Sequence, residues 1–106
     1  MAKIGGTPAG GVQRLALSDE DKIARDLLCK WLKEIDCEVF YDEMGNIFGK
    51  RAGTKPELTP IMSGSHGDSQ PKGGRFDGIL GVMGALEVLR TLHDNKVELL
   101  RPVMLV

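Results

Sequence analysis

The stretch PIMSGSHGDSQPKGGRFDGILGVMGALEVLRTL, residues 60–92, decides the fold of this chain. Residues 60–64 form a short apolar run suited to a strand, and it opens directly into Ser65 and His66. A loop punctuated by Gly67, Gly73, Gly74 and Gly78 follows. Residues 79–92 then carry Leu80, Met83, Leu86, Val88, Leu89 and Leu92, spread around most of a helical circumference, as suits a helix laid on a sheet. Residues 101–106 read as the start of a buried strand. Strand, helix and strand in this order predict a right-handed parallel crossover in an α/β fold.

Working toward the N-terminus, residues 51–59 contain Gly53 and Pro56 and read as a loop. Before it, residues 37–42 alternate Cys37, Val39 and Tyr41 with Glu38, Phe40 and Asp42, and Met44-Gly45-Asn46 turns the chain into a second strand at 46–50, which makes a hairpin. Upstream lies a helix that starts at Ser18, whose hydroxyl can cap the first turn, with Asp19, Glu20 and Asp21 placed to favour the helix dipole. Its expected apolar face is Ile23, Leu27, Leu28, Trp31, Leu32 and Ile35, which makes Trp31 a core residue. Residues 1–17, rich in glycine, are expected to form an irregular or extended arm. The whole chain, 1–106, then reads as one partial catalytic domain: an arm at 1–17 and an α/β core at 18–106.

Composition narrows the partners. Fourteen basic and 15 acidic residues give a net charge of -1 with no long run of either sign, so neither nucleic acid nor an anionic membrane is an expected partner. The apolar runs are far shorter than the roughly 20 residues of a membrane span, and no signal-peptide pattern occurs at the start. Cys29 and Cys37 lie in no CxxC or Cys/His cluster and read as reduced thiols, which implies a cytoplasmic location.

The chemistry is expected at the end of the strand at 60–64, because ligands of α/β sheets bind beyond the carboxyl ends of parallel strands. His66 and Asp68 are two residues apart, so one imidazole nitrogen can face a metal while the carboxylate accepts the proton of the other and fixes the tautomer. Asp77 lies at the far end of the glycine-rich loop, from which its carboxylate could return to the same point. Each residue also has a plainer reading: His66 as a loop histidine, Asp68 as an Asx-turn residue, Asp77 as the cap of the following helix. A phosphate cradle is set aside, since neither GxGxxG nor GxxxxGK[ST] occurs.

The segment GSHGDSQPKGGRFDG (64–78), preceded by TPAGGVQRLALSDEDKIARD (7–26) and DEMGNIFGKRAG (42–53), resembles the amidase/hydantoinase/carbamoylase family of zinc-dependent hydrolases. The likeness is close to N-carbamoyl-L-amino-acid hydrolases and β-ureidopropionases, and related to allantoate amidohydrolases. It covers essentially the whole chain, with its motifs in order. It implies the N-terminal part of a metallopeptidase-like (zinc-peptidase) catalytic domain, a mixed sheet flanked by helices. It implies also that His66 is a metal ligand, Asp68 the carboxylate supporting it, and Asp77 an aspartate bridging two divalent ions, Zn or Mn. Gln70 and Arg75 match the signature loop without an assigned role. Gly67 departs from the family, which usually has a bulky aliphatic there, and loosens the backbone at the site.

The resemblance implies metal-assisted hydrolysis of an amide or ureido C–N bond in a small N-carbamoyl or ureido acid, with a glutamate as general base. The Glu-Glu pair and further histidines of such enzymes are absent from residues 1–106, and Glu87, Glu98 and His93 read as solvated surface rather than as replacements. The expectation is therefore a truncated N-terminal fragment that binds metal weakly and does not turn over alone. Two alternatives stand beside it: a peptidase of the same fold acting on short peptides, and a non-catalytic α/β domain that binds a partner or self-associates through an exposed edge at 103–106.

Overall fold

The computed structural model describes the whole chain, Met1–Val106, as two helices and four strands. Helix α1 spans Asp19–Glu34. Its start is a reciprocal cap: the Asp21 amide donates to Ser18 Oγ at 3.2 Å, and the Leu17 amide donates to Asp21 Oδ2 at 3.1 Å. The cap draws Asp21 inward and leaves it buried. That rotation decides which face is covered. Ala24, Leu28, Leu32 and Ile35 are buried, whereas Ile23, expected on this face, is 56% exposed, and Leu27 and Trp31 are half-buried at its margins.

Strands β1 (Glu38–Tyr41) and β2 (Ile47–Arg51) form the expected antiparallel hairpin. Phe40 faces Phe48 across it, with stacked rings 5.0 Å apart. Asp42 fastens the turn by accepting from the amides of Met44 and Asn46 and from the Asn46 side chain. These bonds, the Asn46 side chain foremost, hold the Asp42 carboxyl below its usual range. Strand β3 is Ile61–Ser63, helix α2 is Ile79–Asp94 and strand β4 is Val103–Leu105.

The sheet order is β1-β2-β4-β3, with β4 antiparallel to β2 and parallel to β3. The pairing of β3 and β4 is parallel, with α2 between them in the chain, as expected from the sequence. The expected exposed edge at 103–106 is not an edge: β4 takes β2 on one side and β3 on the other, so the hydrogen-bonding groups offered for self-association there are already used. β1 and β3 form the edges instead.

One cluster of twelve buried residues draws on both helices and on the sheet positions Ile47 and Leu105, so the two helices cover the same face. Gly49 in β2 admits α1 at close range, because a Cβ there would collide with the Leu32 side chain. The second helix turns only one side inward. Ile79, Val82, Ala85, Leu86 and Leu89 are buried, while Leu80 and Val88, expected within a broad apolar surface, are 65% and 55% exposed. No helix is long and apolar enough to cross a membrane.

The arm at 1–17 contains neither helix nor strand but is docked. Val12 forms isolated bridges with Gly6 and with Gly73 of the long loop between β3 and α2. Its amide donates to Gly73 O at 3.0 Å and its carbonyl accepts from the Gly73 amide at 2.9 Å.

Candidate metal centre

The loop between β3 and α2 begins where β3 ends, at the carboxyl end of the parallel β3–β4 pair. The Ser65 amide still donates to Val106 O at 3.2 Å, continuing the ladder, and the next residue, His66, leaves the sheet. Its Nδ1 lies 3.1 Å from Asp68 Oδ1 and 3.2 Å from the Asp68 carbonyl oxygen. With Nδ1–H donating to the carboxylate, the proton-free nitrogen is Nε2, the one with lone-pair density for a cation. His66 is exposed and Asp68 half-buried, so the pair stands at the surface with one side supported.

The far end of the loop returns to the same place. Gly78 lies against the flat of the His66 ring so closely that a Cβ there would collide with Cε1, Nε2 and Nδ1. Its φ of 68° and ψ of -56°, with the Ile79 amide donating to Asp77 O at 2.7 Å, make a γ-turn of positive φ. Asp77, the preceding residue, is exposed, and the N-cap of α2 is Gly78 without any side-chain cap. The carboxylate is therefore not a helix cap, and it stands on the segment that closes over the imidazole. The structure brings His66 and Asp68 together but shows no contact of the Asp77 carboxylate with either, and no group of three or more His, Cys, Asp or Glu side chains converges closely enough to hold an ion within this chain.

The pair borders a partly open cavity of ≈ 200 Å³ whose lining includes His66 and Asp68 together with Leu28, Ile79, Val82 and Leu105. Gly67 also lines it, and a Cβ there would meet nothing within 4 Å. Its φ lies outside the left-handed region, so glycine is not demanded by the backbone. Gly67→Ala is expected to stabilise the chain by about 0.4–1 kcal/mol, chiefly by narrowing the unfolded ensemble; a denaturant midpoint at or below that of the parent would contradict this.

Two residues of the site region carry no obvious signal in the sequence. Arg14 is 2% exposed and Ser69 8% exposed, and both join the arm to the loop. The one available hint was that Arg14 is the only charged residue between Lys3 and Asp19. Of the side chains expected at the surface, Glu87 and Glu98 are exposed, whereas His93 is half-buried, 3.8 Å from an Asp36 carboxylate oxygen. Cys29 and Cys37 are both free and buried, and burial pushes the Cys37 thiol up.

A mixed four-stranded sheet with two helices packed on it and a histidine–carboxylate pair at a parallel strand end place the chain in the α/β class. Comparison with known proteins names the family within it: over nearly all its length the chain matches part of the hydantoinase/carbamoylase amidases. It is 43% identical over 104 residues to an N-carbamoyl-L-amino-acid amidohydrolase of Rhizobium meliloti, covering 98% of this chain and 25% of that protein. It is 36% identical over 95 residues to a ureidoglycolate hydrolase of Oryza sativa subsp. japonica, covering 90% and 20%. The crystal structure of a hydantoinase/carbamoylase family amidase from Burkholderia multivorans superposes with a TM-score of 0.96 at 56% identity, over 98% of this chain and 25% of that one. No family model matches the chain. The chain thus spans about a quarter of the length of these relatives.

Proposed function

We propose that this chain supplies one side of the metal centre of a cytoplasmic hydrolase that cleaves a linear amide or ureido C–N bond, with a small N-carbamoyl or ureido acid as substrate. The observation that carries the reading is the 3.1 Å contact of His66 Nδ1 with Asp68 Oδ1, which leaves Nε2 free beside the segment bearing Asp77. Similarity to amidases of that substrate class supports the choice of bond. Two buried free thiols suit a reducing compartment.

In this reading His66 and Asp77 are ligands, and Asp68 fixes the imidazole tautomer and raises its basicity. A divalent ion such as Zn²⁺ or Mn²⁺, when bound, supplies Lewis acidity toward a carbonyl and a water of lowered pKa. A catalytic zinc site usually takes about three protein ligands, and this chain offers two. Residues outside this chain complete the centre and provide the base, and the chain alone binds the ion weakly without turnover.

The test uses the chain itself. Zn²⁺ or Mn²⁺ at a concentration near its dissociation constant adds about 0.4 kcal/mol, which raises the thermal midpoint by about 2–3 °C. His66→Ala is expected to abolish the increment, as followed by circular dichroism. A metal response of equal size in that variant would remove His66 as a ligand.

A further inference from the structure

The Arg14 guanidinium is nearly fully buried, yet no carboxylate lies within ion-pair distance of it. Burial lowers its pKa from the ordinary value, with Asp21 and Asp68 opposing from a distance. Backbone carbonyls do the work of solvation. Nε donates to Gly67 O at 2.8 Å and Nη1 to Ile4 O at 2.9 Å. The main chain at the same point is fastened as well: the Ser69 amide donates to Arg14 O at 2.7 Å, the Arg14 amide to Ser69 Oγ at 2.9 Å, and Ser69 Oγ to Val12 O at 3.2 Å. A buried charge is costly to keep unless its geometry is used, and here every bond of the side chain runs between the arm and the middle of the His66-Gly67-Asp68 tripeptide or within the arm.

We infer that Arg14 is a positioning residue for the His66–Asp68 pair, holding the Gly67 carbonyl so that the imidazole keeps its bond to Asp68 and its Nε2 stays free. The Gly67 carbonyl belongs to the peptide group that leads into Asp68, so its direction sets where the Asp68 side chain starts. Gly67 by itself gives this peptide unusual freedom, and the clamp removes it from outside. Lysine cannot substitute: its single ammonium offers a point of charge, whereas the guanidinium presents separate donors along fixed directions to Gly67 and Ile4. The clamp also makes the arm part of the site, since the same guanidinium needs the Ile4 carbonyl to be in place.

The inference deepens the reading of His66 as a ligand, and its primary readout is independent of metal. In the unmodified protein, nitrogen NMR is expected to show His66 in a single tautomer protonated at Nδ1, and an Arg14 Nε–H that exchanges slowly with water and couples to the Gly67 carbonyl carbon. Arg14→Lys is expected to turn His66 into a mixture of tautomers while the His93 signals and the helical amide signals stay in place, and to weaken Zn²⁺ binding measured by calorimetry by about 10-fold or more. Adding Gly67→Ala to Arg14→Lys is expected to restore part of the tautomer preference by stiffening the peptide. A fast-exchanging Nε–H in the parent, or an unchanged His66 tautomer in a folded Arg14→Lys protein, would overturn the proposal. If Arg14→Lys does not fold, the exchange and coupling measurements on the parent decide. If the parent binds no Zn²⁺ while the tautomer depends on Arg14, the ligand reading falls and the positioning role stands.

Discussion

Gly78→Ala is expected to cost the chain at least about 2 kcal/mol and to drive His66 out of its position. The positive φ of a γ-turn costs an L-residue roughly 1–2 kcal/mol, and the new Cβ would occupy the space of the imidazole ring. Overpacking of this kind adds about 1–3 kcal/mol where neighbours cannot yield. The His66 ring can yield, since it is exposed, but only by giving up its contact with Asp68. Denaturant unfolding combined with the His66 imidazole signals tests both halves. A destabilised protein whose His66 signals match the parent would show that the ring is not held against Gly78.

The second large effect is expected at the centre of the core. Leu32 is fully buried between α1 and the sheet, and its truncation to alanine should cost about 2–5 kcal/mol through lost transfer energy and the cavity left behind. Against a typical total of about 5–15 kcal/mol, that brings a chain of this size near the limit of folding at moderate temperature. The side-chain atoms removed are the ones that exclude a Cβ from Gly49. Gly49→Ala should therefore be harmful in the parent and nearly neutral or beneficial beside Leu32→Ala, a non-additivity that denaturant midpoints of the four proteins would measure. Additive midpoints would mean that the helix and strand do not meet as closely as described.

What the sequence disclosed was what short-range pattern controls. Ser18 and the acids after it marked the start of α1, alternation and Gly45 marked the hairpin, and the 60–64, 79–92 and 101–106 segments gave the crossover. Pattern alone could not tell how a helix is rotated. The Ser18–Asp21 cap turned Asp21 inward and Ile23 outward, a choice made by two hydrogen bonds and not by hydrophobic spacing. Nor could it place β4, since a strand with apolar residues on both faces suits an interior position as well as an edge, and only pairing with both β2 and β3 decides. For the site, the two-residue spacing of His66 and Asp68 sufficed to suggest their contact. The glycines of the loop allowed its far end to return toward His66, as Gly78 does, whereas the bond of Arg14 to Gly67 joins residues 53 positions apart and nothing local announces it.

The position of β4 between β2 and β3 orders the assembly of the domain in time. On an emerging chain, α1 and the hairpin are contiguous and can pack as soon as they are made, since their contacts are local. β3 and α2 have no strand of that first unit to pair with, because β2 and β3 never touch. Residues 103–105 supply the strand that joins the two halves of the sheet. Closure of the sheet is then the late, slow step, as long-range and parallel pairings are, and until it occurs β2 and β3 each present an open side to other chains in the same condition.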